Sequence, residues 1–368
     1  MGGGPRERVK AVILVGGRGA RLRPLTAGRP KAVVPILGQP FLATQFDLLR
    51  QAGFRDVVLC LGHLPRRLRP MFGDGAAFGL RLEYAVEPLP LGTGGALGRL
   101  RARLREPFLC MNGDVLWNLD FRALAATHRT SAAALTLALT RVPDAAAYGR
   151  IATCERQGMA RVTAFEEKAP EAGAADISVG AYFMDPGIFD FIPRGRPVSL
   201  ERDVFPEVIR SGRRIVAHRH EGYFLDIGVI SRYRRAHRDA LDGRIRIHGA
   251  GPANPGGVIV GKAASIHPEA VLSGPAYVGD RAVVRARARI GPYAVLGRRV
   301  VVEEGAAVED AILWAGTRVG PEAVVRRAVV GAAGFVGREA LIEGVVLGDK
   351  SVVPGFSRIP WSPDRRSP

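Results

Sequence analysis

Residues 260–308 decide the fold of the C-terminal part of the chain; they read VGKAASIHPEAVLSGPAYVGDRAVVRARARIGPYAVLGRRVVVEEGAAV. Every sixth residue in this stretch is aliphatic, from Val260 to Val308, and a small or aliphatic residue stands two positions before each of the last eight. An α-helix cannot keep a six-residue period on one face, and a flat strand repeats every two residues. A triangular parallel β-helix keeps it, because each of its three sides takes six residues per coil. We therefore predict a left-handed parallel β-helix in which the aliphatic residue of each side points inward.

After Val308 the period slips by one residue, and five- and six-residue steps mix from there on. The aliphatic positions of this second series are Leu313, Val319, Val325, Val330, Val336 and Ile342. Such a mixture is expected where one side of each coil is shortened. The stretch before the repeat, GAGPANPGG at residues 249–257, is rich in glycine and proline and indicates a linker.

The residues before this linker alternate apolar runs with helical patterns, which predicts an α/β fold with a doubly wound, mostly parallel sheet. Nearly continuous aliphatic runs predict buried parallel strands at Val9–Val15, Asp56–Leu61, Leu80–Glu87 and Pro107–Asn112. Helices are predicted at Phe41–Ala52, Gly94–Leu104, Phe121–Arg129 and Val229–Leu241, and further strands at Ala133–Val142, Arg161–Glu167, Val179–Met184 and Arg214–His220. We expect the α/β domain to span residues 1–245, the β-helix 246–355 and a C-terminal tail 356–368.

The charge of the 368-residue chain is strongly basic, +18, and 48 of its 53 basic residues are arginines. A basic excess can indicate a nucleic acid or a membrane surface as the partner. Here the arginines are spread over both halves of the chain and form no basic tail or block, so we expect no nucleic-acid partner. The N-terminus lacks the apolar core of a signal peptide, and no apolar run is long enough for a membrane span. Together with only three cysteines, these features predict a cytoplasmic protein with no membrane partner.

A glycine-rich loop follows the first predicted strand and reads GGRGARLRPLT at residues 16–26. Its glycines Gly16, Gly17 and Gly19 let backbone N–H groups approach a phosphate. Arg21 and Lys31 add charged donors that suit a polyphosphate. The loop lacks the Gly-Lys-Ser/Thr ending of a Walker A loop and the third glycine of the dinucleotide fingerprint. Taken alone, it is equally compatible with a tight turn that carries solvated arginines.

The loop resembles the signature of the sugar-1-phosphate nucleotidyltransferases, and further motifs of that family follow in order. They are a base-binding loop at Glu87–Ala96, a first metal segment at Phe108–Asp114, sugar-side elements at Tyr148–Gly149, Glu167–Lys168 and Ser178–Gly180, and a second metal segment at Phe224–Gly228. The β-helix is similar to the tail of the longer members. The resemblance therefore covers nearly the whole chain and implies a Rossmann-like catalytic domain.

The resemblance implies transfer of a nucleotidyl group from a nucleoside triphosphate to a sugar-1-phosphate, with release of pyrophosphate. Asp114 and Asp226 would bind Mg²⁺, a hard ion that takes oxygen ligands. Arg21 and Lys31 would complete the catalytic set by neutralising phosphate charge, and no nucleophilic side chain is needed. The implied nucleotide-binding residues are Gly16, Gly17, Gly19, Arg21, Lys31, Gly92 and Thr93. The implied sugar-phosphate-binding residues are Gly149, Glu167, Lys168 and Gly180.

Two of the five lysines, Lys31 and Lys168, fall at positions where the family uses lysine. In a chain that prefers arginine this is informative, because a guanidinium cannot replace a compact ammonium in a tight site. Ala20 replaces the usual threonine of the signature loop. Ser178 stands where many members have asparagine in an element that touches the sugar, so the sugar specificity stays open.

The identity of the substrates has several alternatives. The stretches ILVGG, RLRPLT and Ser199–Pro206 look most like mannose-1-phosphate guanylyltransferases, which favours GTP and mannose-1-phosphate. The stretch PLGTGGA, residues 90–96, also resembles heptose-1-phosphate guanylyltransferases. Glucose-1-phosphate uridylyl-, thymidylyl- and adenylyltransferases share most of these features.

Two other classes of function stay open. One is a non-catalytic regulatory paralogue, against which the presence of all four charged catalytic candidates argues. The other is a bifunctional enzyme whose β-helix is an acyltransferase, a site that usually needs a catalytic histidine. The C-terminal part offers only His248 and His267, and we expect His267 to lie at a solvated corner. We expect the β-helix to be a platform for packing or for a homo-oligomer.

Overall fold

The computed structural model describes residues 9–17, 19–62, 65–166 and 173–360. The chain forms two compact units. The first unit comprises Met1–Arg18 and Gln45–Leu225, and the second comprises Gly19–Thr44 and Asp226–Pro368. The signature loop from Gly19 onward thus belongs to the same unit as the C-terminal part of the chain. The domain borders at residues 245 and 355 stay predictions.

The first unit is built on a nine-stranded sheet, with strands numbered in chain order. They are β1 Lys10–Val15, β2 Asp56–Leu61, β3 Arg81–Val86, β4 Phe108–Asn112, β5 Leu135–Val142, β6 Arg150–Arg156, β7 Met159–Glu166, β8 Ala175–Met184 and β9 Ile215–Arg219. Their order in the sheet is β3-β2-β1-β4-β8-β5-β9-β7-β6. Alternate residues of the central strands, such as Val12 and Val58, lie in one core, and the residues between them, such as Ile13 and Leu59, are also buried, as continuous apolar runs require.

The sheet combines parallel and antiparallel pairs. The half formed by β3, β2, β1 and β4 is parallel, as the aliphatic runs predict, and so is the pair of β5 with β9. The pairs of β8 with β4 and β5, and the hairpin of β6 and β7, are antiparallel. The hairpin is possible because Gln157 and Gly158 both adopt positive φ, which closes a two-residue turn. The predicted doubly wound α/β class is confirmed, but strand β6 is absent from the sequence-based prediction.

Four helices lie in the regions that the sequence predicts, whereas the short helices Arg69–Phe72 and Phe205–Arg210 were not predicted. They are α1 Phe41–Ala52, α2 Arg69–Phe72, α3 Gly92–Gly98, α4 Phe121–Ser131, α5 Phe205–Arg210 and α6 Ile230–Leu241. Helix α1 has the predicted bounds, and α4 begins where the Asp120 carboxylate accepts hydrogen bonds from the backbone N–H groups of Arg122 and Ala123. Helix α3 is shorter than predicted and ends at Gly98. Short 3-10 helices lie at Ala20–Leu22, Lys31–Val33, Pro65–Arg67, Ala76–Phe78 and Pro186–Phe191, and a π-helical turn at Leu200–Val204.

The second unit contains three parallel sheets of six strands each, which confirms the predicted β-helix. Face A consists of Val258–Val260, Ala276–Val278, Val295–Leu296, Ile312–Leu313, Val329–Val330 and Val346–Leu347. Face B consists of Ser265–Ile266, Val283–Val284, Val301–Val302, Arg318–Val319, Phe335–Val336 and Val352–Val353. Face C consists of Val271–Leu272, Arg289–Ile290, Ala307–Glu309, Val324–Arg326, Leu341–Glu343 and Arg358–Ile359.

The slip in the sequence period corresponds to a change in coil length. On face A, Tyr277 pairs with Val295, 18 residues on, whereas Val295 pairs with Ile312, 17 residues on. The aliphatic positions of both series fill the interior, and those from Val278 to Ile342 are at most 1% exposed. Val260 is the exception at 44% exposed. It pairs with the inward-facing Val278 but lies in the first coil, which no preceding coil covers.

The remaining part of the second unit comprises helix α6 and residues 19–40, which are called the signature loop below. This loop includes a short hairpin of Pro35–Ile36 with Gln39–Pro40. A short strand, Phe224–Asp226, ends at the boundary of the two units. Within the described residues, no helix has both the length and the apolar character needed to cross a membrane.

Candidate active site

In the first unit, the predicted nucleotide-binding glycines Gly16 and Gly17 follow the carboxyl end of β1. Parallel α/β sheets bind ligands at this end of their strands. The backbone is packed closely here, because a Cβ at Gly62, after β2, would lie 3.0 Å from the Gly16 carbonyl oxygen. Glu87 follows β3 and is only 9% exposed, and its Oε2 accepts the backbone N–H of Leu91 at 3.1 Å. This contact fixes the start of the predicted base-binding loop.

The base-binding loop packs against the segment Val198–Leu200. A Cβ at Gly92, which has a φ of 69°, would lie 2.6 Å from the Val198 carbonyl oxygen, so only glycine fits there. The Thr93 Oγ1 accepts the backbone N–H of Leu200 at 2.9 Å. Gly92 and Thr93 therefore shape this loop, and the hydroxyl proton of Thr93 is left for another acceptor.

Asp114 lies in the turn that directly follows β4. The preceding residue, Gly113, donates its N–H to the Leu14 carbonyl of β1 at 2.9 Å, and a Cβ there would press on the same oxygen. The Gln45 side chain is 1% exposed and donates to the carbonyls of Asn112 and Val115, on both sides of the turn. Gln45 thus positions Asp114. The sequence-based prediction missed Gln45, although a lone glutamine in an apolar helix face was a signal for it.

Two of the predicted sugar-side residues, Gly180 and Gly149, lie where the backbone packs closely against another part of the first unit. Gly180, with a φ of 74°, has no room for a side chain, because a Cβ there would collide with the Asn112 amide. Its N–H donates to Ser178 Oγ at 3.1 Å. A Cβ at Gly149 would lie 3.3 Å from the Glu166 carbonyl oxygen. Glu167 and Lys168 lie outside the described residues.

A buried tyrosine follows the Gly180 element. The Tyr182 hydroxyl donates to Glu201 Oε1 at 2.6 Å. Burial raises the pKa of Tyr182 well above its usual range, so the hydroxyl stays a donor at working pH. This bond joins the sugar-side element to the Ser199–Pro206 stretch, which the sequence analysis singled out for its likeness to guanylyltransferases.

In the second unit, a cationic cluster forms around the carboxylate of Asp226. Lys31 is 7% exposed, and its Nζ lies 3.4 Å from Asp226 Oδ1. Arg232 Nη1 of helix α6 lies 3.1 Å from Asp226 Oδ2. The Arg21 guanidinium lies beside Gly228, where a Cβ would be 3.0 Å from its Nη2. Two cations therefore contact the Asp226 carboxylate and the Arg21 guanidinium lies beside it, a gathering of positive charge that suits a bound anion.

The glycine-rich loop presents Lys31 through local bonds. Gly19 adopts a φ of 61°, and its carbonyl accepts the Thr26 hydroxyl at 2.7 Å. Lys31 opens a 3-10 turn in which its own carbonyl accepts the N–H of Val34 at 3.1 Å. The sequence analysis predicted Arg21, Lys31 and Asp226 but missed Arg232. Arg232 lies on a helix six residues after Asp226, where no motif marks it.

The ordered motifs agree with comparisons to known proteins. A family model described as nucleotidyl transferase matches residues 10–243. The chain belongs to the nucleotidyl transferase family. A second model, described as the GMPPB C-terminal domain, matches residues 272–355 of this nucleotidyltransferase. The family membership predicted from the ordered motifs is therefore confirmed.

Several curated proteins resemble this nucleotidyltransferase over most of its length. The mannose-1-phosphate guanylyltransferase of Mycobacterium tuberculosis is 37% identical over 305 residues, which are 82% of this chain and 84% of the relative. A probable mannose-1-phosphate guanylyltransferase of Oryza sativa is 30% identical and covers 92% of this chain and 90% of its own. The UTP–glucose-1-phosphate uridylyltransferase of Synechocystis is 29% identical over 85% and 84%.

Solved structures support the α/β fold. HddC from Yersinia pseudotuberculosis, complexed with GMP-PN, superimposes with a TM-score of 0.55 at 26% identity. The match covers 63% of this chain and 99% of that one. A putative glucose-1-phosphate thymidylyltransferase from Bacillus anthracis gives a TM-score of 0.57 over 63% and 95%, and at 22% identity it supports the fold alone.

The carboxylates of this nucleotidyltransferase include the two predicted metal ligands, Asp114 and Asp226. The described residues contain no cluster of three or more histidine, cysteine, aspartate or glutamate side chains able to hold a metal. Mg²⁺ does not need such a cluster, because it usually binds one or two carboxylates and takes its other ligands from substrate phosphates and water. The two predicted ligands, Asp114 and Asp226, supply the hard oxygen donors that it prefers. Their chemistry fits Mg²⁺.

The two histidines of the C-terminal part have local structural contacts. His267 is exposed, and its Nδ1 accepts the backbone N–H of Glu269 at 3.2 Å, as expected for a solvated corner of a coil. The backbone N–H of His248 donates to Thr44 Oγ1 at 3.1 Å. These contacts favour a structural role for both residues over an acyltransferase role.

Proposed function

We propose that this enzyme transfers GMP from GTP to mannose-1-phosphate and forms GDP-mannose and pyrophosphate. The observation that carries the proposal is the cationic cluster at Asp226, where Lys31 and Arg232 contact the carboxylate and Arg21 lies beside Gly228. Arg21 lies in the glycine-rich loop and Lys31 five residues after it, in the same unit as Asp226. The reaction brings two polyanions together, so positive charge is its first requirement. The names of the relatives from Mycobacterium tuberculosis and Oryza sativa support the choice of mannose-1-phosphate and of the guanylyl group.

In the proposed reaction, a phosphate oxygen of mannose-1-phosphate attacks the α-phosphorus of GTP. A new phosphorus–oxygen bond forms while the bond between the α-phosphorus and the bridging oxygen to the β-phosphorus breaks, and pyrophosphate leaves. Lys31 and Arg21 neutralise the charge that accumulates on the phosphates. Because the attacking group is an oxygen of the substrate itself, the enzyme needs no nucleophilic side chain, and positioning with charge neutralisation supplies the rate.

Two carboxylates of the chain complete the proposal. Asp114 and Asp226 would hold Mg²⁺, which would supply charge neutralisation on the phosphates when bound. Asp226 has a second task, because it orients the Lys31 ammonium and the Arg232 guanidinium through direct contacts. Gln45 keeps the turn of Asp114 fixed from both sides.

The binding residues are proposed to divide into two groups. The nucleotide group comprises Gly16, Gly17, Gly19, Arg21, Lys31, Gly92 and Thr93. The sugar-phosphate group comprises Gly149, Glu167, Lys168 and Gly180. At Gly92 and Gly180 a Cβ would collide with Val198 and Asn112, so glycine at both positions lets the backbone pack closely there.

Uridylyl transfer to glucose-1-phosphate is the second candidate, and the similarity to the Synechocystis uridylyltransferase favours it. A pyrophosphate-release screen of five nucleoside triphosphates against mannose-, glucose-, heptose- and N-acetylglucosamine-1-phosphates separates the two. We expect the highest kcat/KM for GTP with mannose-1-phosphate, with GDP-mannose identified by mass spectrometry. A preference for UTP with glucose-1-phosphate would establish the second candidate instead. Absence of pyrophosphate with every pair would indicate a regulatory paralogue.

Assembly and location are also proposals. We infer a cytoplasmic homo-oligomer whose partners are a nucleoside triphosphate and a sugar-1-phosphate, without nucleic acid or membrane. The even spread of arginine over the chain supports the exclusion of nucleic acid. Sedimentation equilibrium of the full chain tests the oligomer, and a monomer at micromolar concentration would contradict it.

A further inference from the structure

The signature loop is held from two sides of Lys31 by residues of the β-helix and of helix α6. Upstream of Lys31, the Arg29 guanidinium donates to the Asp349 carboxylate and stacks on the Trp314 ring, with Cζ 4.5 Å from the ring centroid. Downstream of Lys31, the Pro35 carbonyl accepts the Tyr233 hydroxyl at 2.6 Å. The segment that carries the buried ammonium is therefore fixed at both ends.

Trp314 links these two attachments. It follows the face A strand Ile312–Leu313 and is only 2% exposed. One face of its indole receives Arg29, and its Nε1–H donates to the Tyr233 hydroxyl at 2.9 Å. Tyr233 is fully buried, and its hydroxyl donates a hydrogen bond to the Pro35 carbonyl oxygen. A single β-helix side chain thus reaches the loop on both sides of Lys31.

Asp349 is fixed before it meets Arg29. Its Oδ1 accepts the backbone N–H of Ala332, in the preceding coil, at 2.8 Å, which leaves Oδ2 for the guanidinium. The Nε of Arg29 is buried and has no hydrogen-bond partner among the described residues. The indole face beside it takes the place of an acceptor, as in a cation–π pair. Asp349 and Trp314 are both needed to accommodate the guanidinium.

A further contact fixes the loop beyond Pro35. The backbone N–H of Leu37 points at Nδ1 of His237, 3.5 Å away on helix α6. Burial lowers the pKa of His237 to about 3, so the ring is neutral and Nδ1 can accept. The nearby Arg234 and Arg238 of the same helix pair with Asp310 of the β-helix. Helix α6 and the β-helix therefore act together as one support for the loop.

We propose that Trp314 and Asp349 of the β-helix are positioning residues for nucleotidyl transfer, which act through Arg29 to hold Lys31 against the phosphates. The inference rests on the proposed function. It gives the β-helix a task in the chemistry, besides packing or assembly. The Lys31 side chain has little conformational freedom, because it is buried and its Nζ lies 3.4 Å from Asp226 Oδ1.

The test compares Asp349→Asn with Glu343→Gln in the full chain. Both remove a β-helix carboxylate that pairs with an arginine, but Asp349 pairs with Arg29 of the loop whereas Glu343 pairs with Arg327 of the β-helix itself. We expect Asp349→Asn to lower kcat about tenfold with the KM for the sugar phosphate within twofold, because correctly held charge matters most in the transition state. Glu343→Gln should stay within twofold of the wild type. Equal kcat values for the two variants would overturn the proposal.

Two further variants test the route through Arg29 and the ring. If Asp349 acts through Arg29, the double variant Arg29→Gln/Asp349→Asn is no slower than Arg29→Gln alone. Multiplied losses would contradict that route. Trp314→Phe keeps a ring face for Arg29 but lacks the donor to Tyr233, so its kcat should lie between those of the wild type and Trp314→Leu. Equal kcat values for Trp314→Phe and Trp314→Leu would remove the ring from the proposal.

A readout without turnover separates this inference from the proposed function. Hydrogen–deuterium exchange of the amides in residues 31–36 should be faster in Asp349→Asn than in the wild type, and unchanged in Glu343→Gln. If the wild type uses another nucleotide and sugar pair, the kinetic comparison is made with that pair. If no pair gives pyrophosphate, the proposed function falls, while unchanged exchange in Asp349→Asn would still refute the positioning role.

Discussion

Two arginine-rich regions of the molecule use their charge in opposite ways. In the first unit, five arginines line a cavity of about 1230 Å³ together with a single carboxylate, Asp56. In the second unit, Arg21, Lys31 and Arg232 gather around Asp226. The count of cations is higher in the cavity. The difference lies in what the cations contact and how deeply they are buried.

The arginines of the cavity are exposed, and two of them donate hydrogen bonds to backbone carbonyls of the same chain. Arg122 donates to the carbonyls of Gln51 and Ala52, and Arg55 donates to those of Arg50 and Phe54, at and just beyond the end of helix α1. Such contacts satisfy carbonyls that the end of a helix leaves unpaired. Lys31, by contrast, is buried and faces a carboxylate. Placement and burial, rather than the number of arginines, therefore distinguish the proposed phosphate site from the cavity.

The largest effect is expected for Lys31→Ala. Removing the buried ammonium should lower kcat/KM about 10³-fold, because a preorganised charge in a poorly solvated site stabilises the transition state strongly. Lys31→Arg should recover little of this, about tenfold, since the planar guanidinium does not fit the place of a compact ammonium. Steady-state pyrophosphate release measures both variants. If kcat/KM of Lys31→Ala stayed within tenfold of the wild type, the buried ammonium would have no special role compared with the arginines of the cavity.

Asp226→Asn should follow, with a loss of about 10²-fold in kcat/KM. The change removes a proposed metal ligand and leaves Lys31 and Arg232 without the carboxylate between them. Raising the Mg²⁺ concentration should restore part of the rate if Asp226 binds the ion. Asp239→Asn is the control, because that carboxylate is also paired with two arginines but on the far part of helix α6. Equal losses in the two variants would contradict a role for Asp226 in the chemistry.

The smallest effect is expected in the cavity. Arg122→Gln should leave kcat/KM within twofold and lower the melting temperature by a few degrees, because α1 loses hydrogen bonds worth about 1 kcal/mol. Arg129→Gln, a second arginine of the same cavity, serves as the matched control and should change neither quantity. A rise in the KM for the nucleotide in Arg122→Gln would show that the cavity binds phosphate after all.

The parts of the fold that depend on local order were predictable from the sequence. The six-residue period located the interior of the β-helix from Val278 to Ile342, and helix α1 had the predicted bounds because Gly53 ends it. The exposed Val260 was not foreseen, since the period alone does not reveal which coil lies at the end. Strand β6, with its many polar residues, lacks the apolar run that identified the others.

The site was predictable only where motifs carry it. Arg21, Lys31, Asp114 and Asp226 could be proposed as site residues because they stand in recognisable stretches. The contact between Arg29 and Asp349 was not predictable, because the two residues are 320 positions apart and Asp349 belongs to no motif of the reaction. Contacts between residues so far apart in sequence depend on how helices and strands pack in three dimensions. A single sequence does not reveal that packing.

The contacts of Arg29 with Trp314 and Asp349 constrain the number of β-helix coils between these two residues. Leu313 and Leu347 lie in face A strands that are two steps apart, and Trp314 and Asp349 follow those strands. The Arg29 guanidinium contacts both Trp314 and Asp349, so the coils between these two residues fix the distance that this side chain has to span. Insertion of one 17-residue coil there would add about 4.8 Å to the span, more than Arg29 can accommodate. The β-helix can therefore change length at its ends by whole coils, but between residues 314 and 349 its length is set by the reach of one arginine.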